Sequence, residues 1–172
     1  MFTFAPARNC VRAAAPGAEY AAPVAVRAPR TGILMAKGIR KVDTYVLHAN
    51  DKPGEGAHLL KTLKKHDVNL LALTAFPAGT GGSQVELIPE DSDQLERVAT
   101  KYGWKLSKKR SGFLAQGRDR AGALGKLAEK LGKAGINITA VDAIAAGADR
   151  YGAVFWVRPK DLEKAADVLA AR

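Results

Sequence analysis

Three histidines and one cysteine are the side chains best suited to metal or nucleophile chemistry. His58 and His66 lie eight residues apart, two helical turns, too far to share one ion, and His48 pairs with neither at ligand spacing. Cys10 sits in a loose basic stretch, which argues against a cysteine nucleophile. A single cysteine also excludes an intramolecular disulfide and fits a reducing compartment such as the cytoplasm. Gly79-Thr80-Gly81-Gly82-Ser83 has the look of a phosphate cradle, but it falls between two β-rich runs and lacks the Gly-Lys-Ser/Thr of a P-loop. Gly122-Ala123-Leu124-Gly125 has the G-x-x-G spacing of a KH loop, too common a pattern to count. Clustered carboxylates occur in Glu90-Asp91-Ser92-Asp93, better read as a helix entry with Asp91 or Ser92 as N-cap. No catalytic constellation, metal site or cofactor site follows, and the expectation is a non-enzyme.

The residues best placed to hold a small molecule are two similar turns, Asp51-Lys52-Pro53-Gly54 and Asp119-Arg120-Ala121-Gly122. They fall on one another when the chain is slid by 68 positions, and about 30 residues then align without a gap. Leu59 meets Leu127, Leu63 meets Leu131, Val68-Asn69 meets Ile136-Asn137, Ala72 meets Ala140 and Gly79 meets Gly147. Matches in turns, helix faces and strand starts mark a duplication.

The elements that must position these turns follow from periodicity. In the first copy, Asp43–Ala49 is a β-rich run, and Leu59, Leu60 and Leu63 then mark one helix face. Asn69–Pro77 and Ser83–Ile88 read as strands joined by the glycine-rich loop. Leu95, Val98, Ala99 and Tyr102 give a second helix, and Trp104–Ser107 is a candidate fourth strand. The second copy repeats this with a strand at Ser111–Gln116 and a helix carrying Leu124, Leu127, Ala128 and Leu131. Strands at Asn137–Ile144 and Tyr151–Val157 and a helix marked by Leu162, Ala165, Ala166 and Leu169 complete it. There the chain stops without a fourth strand, which would leave one sheet edge open. The expected fold class is α+β: two ferredoxin-like βαββαβ modules in tandem, antiparallel sheets with helices on one face, the second lacking its last strand. The expected division is a disordered tail over 1–40, a first module over 41–109 and a second over 110–172.

Bulk properties agree with a soluble globular chain of 172 residues, with 47% hydrophobic and 26% charged residues and no apolar run able to span a bilayer. The formal charge of +10 raises nucleic acid or an anionic ligand as a partner. Residues 1–34 supply +3 of it through Arg8, Arg12, Arg27 and Arg30 against Glu19, in a basic, acid-poor segment that lacks the serines of a targeting peptide. Met35 is an alternative start, and disorder is expected of the segment in either case.

Both turns, with the helix exits Asp67-Val68-Asn69-Leu70 and Gly135-Ile136-Asn137-Ile138, resemble those of ACT domains, small amino-acid-sensing modules that regulate metabolic enzymes. The resemblance covers residues 41–172 and is clearer in the second copy, where D-R-x-G-x-L is followed by G-I-N-I. It implies a stand-alone regulatory protein, an interface between paired modules as the binding site, a homo-oligomer such as a dimer, and a metabolic enzyme as candidate partner. On that reading an α-amino acid is held by Asp119, Arg120, Ala121, Gly122, Ala123 and Asn137, or by Asp51, Lys52, Pro53, Gly54 and Asn69. The glycine lets the backbone approach, the helix N-terminus offers N–H groups to a carboxylate, and the asparagine carbonyl accepts from an ammonium. Plainer roles exist for each: Gly54 and Gly122 as turn residues, Asp119 as a helix cap, Asn69 and Asn137 as left-handed chain reversals. The alternatives are a ligand-free interaction subunit, or an RNA-recognition motif, which shares the βαββαβ plan and stacks bases on strand aromatics. Against the latter, Ser83–Ile88 has no aromatic, and Phe155 and Trp156 are adjacent, so that one faces the core.

Overall fold

The computed structural model describes residues 38–78 and 82–171. The tail expected over residues 1–40 lies outside the described residues, apart from Gly38–Arg40, which open the first strand instead. The tip of the glycine-rich loop, residues 79–81, lies outside them too.

The first copy runs β1 (Gly38–Asn50), α1 (Glu55–Lys65), β2 (Leu70–Ala78), β3 (Gly82–Pro89) and α2 (Ser92–Tyr102). The second runs β4 (Arg110–Arg118), α3 (Ala123–Lys133), β5 (Ile138–Ala145), β6 (Arg150–Val157) and α4 (Leu162–Leu169), the last entered through a 3-10 turn at Pro159–Asp161. Each expected element is present within a few residues, except the fourth strand of the first copy. Trp104–Ser107 makes a single bridge, Leu47 to Leu106.

Topology explains that loss and corrects a second expectation. The strands form one six-stranded sheet in the order β2-β3-β1-β4-β6-β5, not two sheets, and every neighbouring pair is antiparallel. A fourth strand of the first copy would lie beside β1, but β4 holds that place over Gly38–Thr44. Equally, β1 covers the edge of β4 that the second copy's missing strand would have left open. Each copy's first strand therefore completes the other's sheet, and the unpaired edges are β2 and β5. The register pairs Asp43 with Ser111, residues equivalent under the 68-residue shift, so a pseudo-twofold axis passes between them. The two copies pair within one chain.

Alternation along the strands builds the core. On one face, Tyr45, Leu47, Val85 and Leu87 pack against Leu59, Leu63, Leu95 and Val98 of α1 and α2. On the same face, Phe113, Ala115, Phe155 and Val157 pack against Leu127, Leu131, Ala165, Ala166 and Leu169 of α3 and α4. Leu60, expected on the buried stripe, is exposed, and Thr62, on the opposite flank of the face defined by Leu59 and Leu63, is buried instead.

The other face carries no helix, yet Val42, Thr44, Ile88, Leu114, Val154 and Trp156 are buried on it. The sheet curls to cover them. Although β2 and β5 are the outermost strands, Thr74 Oγ1 donates to Asp142 Oδ2 across 3.4 Å, and these two residues are again 68 apart. Trp156 Nε1 donates to Thr44 Oγ1 at 3.1 Å inside the curl. Phe155 and Trp156 do point to opposite faces, but both are buried, not one, because both faces are covered at this strand. Tyr45 is buried on the helix face, and its hydroxyl donates to Glu96 Oε1 at 2.6 Å. Burial first, and that hydrogen bond second, push its phenol up to about 12.

Candidate functional site

The two turns take the same conformation for the same reason. Glu55 N donates to Lys52 O at 3.2 Å and Ala123 N to Arg120 O at 3.0 Å, closing four-residue turns. The third residue is Gly54 (φ 96°, ψ −19°) in one and Gly122 (φ 77°, ψ 10°) in the other. That is the type II position where φ is positive and glycine is preferred; Pro53 suits the second position. Each glycine is at once the turn residue and the N-cap of the helix behind it, and neither α1 nor α3 has a side-chain cap. By contrast, Asp91 caps α2 by accepting from Gln94 N at 3.0 Å. Beyond Glu55 N and Ala123 N, which close the turns, the next first-turn N–H groups of α1 and α3 have no side-chain cap and face water or a ligand, at the positive end of the helix.

Asp119 does not cap α3. Its backbone N–H donates to Asp149 O at 2.8 Å, which ties the end of β4 to the β5–β6 hairpin. Asp51 accepts from Ser83 Oγ at 3.3 Å. Asp51, Lys52, Pro53, Asp119, Arg120 and Ala121 are exposed, and Ala123 is half-buried. A side chain added at Gly54 or Gly122 would meet nothing within 4 Å, and the same holds at Gly56 and Gly125 in the first helical turns. Those last two glycines have helical backbone and no packing reason to lack a side chain. They lie in the first turn beside the candidate site, and a glycine inside a helical pattern costs about 1 kcal/mol relative to alanine, though Gly132 near the end of α3 is equally open.

The asparagines are not where a single copy would need them. With β1 and β2 parallel through β3, Gly54 ends one strand and Asn69 begins the other at opposite ends of the sheet. The same separates Gly122 from Asn137. Through the strand registers, Asn69 and Asn137 both stand level with the Asp43–Ser111 seam, whereas the Gly54 and Gly122 turns lie beyond the far ends of β1 and β4. Neither asparagine is left-handed; Asp67 (φ 55°) and Gly135 (φ 73°), two residues earlier, close the chain after α1 and α3. Asn69 is structurally engaged: its amide donates to Glu90 Oε2 at 2.8 Å and its carbonyl accepts from Glu90 N at 2.9 Å. In the second copy Arg158 stands where Glu90 does and cannot accept from an amide, which leaves Asn137 without that tie.

No helix among the described residues is long and apolar enough to cross a membrane. No family model matches the chain, and no curated protein matches it significantly. Solved structures do. Protein BT0572 from Bacteroides thetaiotaomicron matches over 77% of this chain and 88% of its own, with a TM-score of 0.66 and 17% identity. The ligand-free regulatory subunit of aspartate kinase from Thermus thermophilus matches over 77% of this chain and 95% of its own, with a TM-score of 0.51 and 15% identity. At such identities the likeness is one of fold. In fold, this chain is similar to the regulatory ACT-domain subunits that its turns and helix exits resemble.

Proposed function

We propose that the protein is an amino-acid sensor that regulates a metabolic enzyme and has no catalytic centre of its own. One observation carries this: two symmetry-related helices begin at glycine turns with no side-chain cap, and open space lies in front of both. A carboxylate placed there gains N–H donors and the helix dipole. The turns are exposed, so a ligand resting on one of them alone would stay in water. A second surface must close over it, and the interface between paired modules supplies one.

Edge strands support self-association as that closure. Val141 and Ile144 on β5 are 51% and 72% exposed, and Leu73 and Phe76, their equivalents on β2, are exposed as well. Unpaired sheet edges bearing apolar side chains are adhesive unless covered. A homo-oligomer formed there would bury them.

The test is a thermal-shift screen of the full chain against the twenty amino acids, with sizing in the presence of any hit. A ligand at about 100 times its Kd should add about 2.7 kcal/mol, several degrees in a domain of this size. Gly122→Val should remove the shift, and Asn137→Ala should weaken it without unfolding the protein. No shift at millimolar concentrations would overturn the sensor reading.

A further inference from the structure

Beside the pseudo-twofold seam, a cavity of about 390 Å³ is lined by Lys109 and Arg110 at the head of β4, Thr139 on β5, and Trp156 and Arg158 on and after β6. Pro159 and Leu162 add to its apolar wall. The first copy has the equivalent cavity, at about 240 Å³, lined by Val42, Asp43, Leu71 and Glu90 among others. The backbone is duplicated, but the lining is not. A shift of 68 turns Val42 into Arg110, Asp43 into Ser111, Leu71 into Thr139 and Glu90 into Arg158. These four positions carry a charge of −2 from two acids in the first copy, and +2 from two arginines in the second.

Of the three cations at this cavity two already face carboxylates and one does not, and a cation left unpaired beside an apolar wall favours an anionic ligand. Lys109 Nζ lies 3.3 Å from Asp43 and Arg110 Nη2 3.4 Å from Glu86, while the Arg110 guanidinium stands 5.0 Å from the centre of the Trp156 ring. Those contacts fix both heads and leave N–H groups over, since an ammonium has three and a guanidinium five. Arg158 is exposed and makes no ion pair among the described residues. Ser111 and Thr139 already donate, to Asp43 Oδ1 at 3.3 Å and Trp156 O at 3.1 Å, so the donors open to a ligand are cationic. Among the described residues no carboxylate lines the cavity, and the nearby Asp43 is already paired with Lys109 and Ser111, so an ammonium group finds no free side-chain counter-charge in it.

We propose that this cavity is a second ligand site, separate from the turns, for an organic anion with an apolar body and no ammonium group, of the 2-oxo acid type. Its anionic group sits among Arg158, Lys109 and Arg110, and its body lies against Pro159 and Leu162, beside a Trp156 ring that is itself buried. The site selects against α-amino acids by its charge, and so is complementary to the turns rather than a copy of them.

Isothermal calorimetry on the full chain with 4-methyl-2-oxopentanoate and leucine tests this, because the two share a carbon skeleton and differ at the ammonium. The 2-oxo acid should bind, and Arg158→Glu, which restores the first copy's residue, should weaken it at least tenfold. Arg158→Gln should weaken it less. Any leucine binding should be unchanged in both variants, which separates failure of this site from failure of the turn site. Equal oxo-acid affinity in wild type and Arg158→Glu would overturn the proposal. So would inorganic phosphate binding as tightly as the oxo acid, since the apolar wall would then contribute nothing.

Discussion

On either side of the Asp43–Ser111 seam the backbone repeats, while the interactions that fix it change character. In the first copy, Tyr45 reaches Glu96, Asn69 binds Glu90 through side chain and backbone, and Asp91 caps α2. In the second, Phe113 replaces Tyr45 and stacks on Phe155 with ring centroids 5.3 Å apart. Lys164 replaces Glu96 and donates to Ala134 O at the C-terminal end of α3, and Pro159 replaces Asp91 at a helix entry. The positions that stay the same are those the backbone demands, Gly54 and Gly122 at positive φ, and those the core demands, Leu59 with Leu127 and Leu63 with Leu131. Duplication therefore preserved geometry and left polarity free, which is how one fold comes to hold two differently charged cavities.

If the shared sheet makes the copies one cooperative unit, damage to either should lower a single transition. Leu63→Ala and Leu131→Ala, at equivalent and fully buried positions, should each cost about 2–5 kcal/mol. Chemical denaturation followed by both fluorescence and circular dichroism checks this. Two separated transitions in either variant would show that the halves unfold independently, and that the common sheet does not couple them. The seam itself is asymmetric. A Cβ on Gly112 would lie 2.7 Å from Trp156 Cδ1, whereas its counterpart Thr44 receives a hydrogen bond from the same indole. Gly112→Ala should cost about 1–3 kcal/mol through overpacking. Because Trp156 floors the proposed anion cavity, the same variant should also shift the emission of that residue.

Much of this was legible in the sequence and some was not. Helix faces, strand order along the chain and both glycine turns followed from local periodicity and turn chemistry. The single sheet did not, because a strand does not carry in its sequence which neighbour it will pair with. The burial of Trp156 depends on a curl that brings Thr74 to Asp142, a contact between strands far apart in order. The site residues Gly54 and Gly122 were visible as turn glycines, but the place of both asparagines at the level of the seam, away from either turn, required the strand registers. The change from two acids to two arginines at equivalent positions was present in the sequence, yet it had no meaning until the structure showed that the four positions line one space.

A smaller test compares the helix entries. Asp91→Ala removes the acceptor for Gln94 N and should cost about 1 kcal/mol. Pro159→Ala should cost less, because proline there contributes a fixed φ and no hydrogen bond. Thermal melts of the two single variants give the difference; an equal loss would mean that Asp91 acts through something other than its cap.

The smallest effect at neutral pH should come from making the first copy resemble the second at one atom. Tyr45→Phe leaves the buried ring and deletes the hydroxyl that donates to Glu96, a loss of about 0.5–1.5 kcal/mol. Its signature lies in pH rather than in size. The folded protein holds this phenol neutral up to about 12, against 10.0 for an ordinary tyrosine, so the unfolded chain loses its proton first. The stabilisation is therefore whole below pH 10 and is lost as pH rises towards 12. The variant has no phenol at this position and no proton to lose there. The stability gap between wild type and variant should therefore narrow across that window and can reverse, with other alkaline titrations cancelling between the two proteins. A gap that stays constant from about pH 9 to about pH 12 would mean that Tyr45 titrates alike in both states, and that the polar anchoring of the first copy is weaker than its geometry implies.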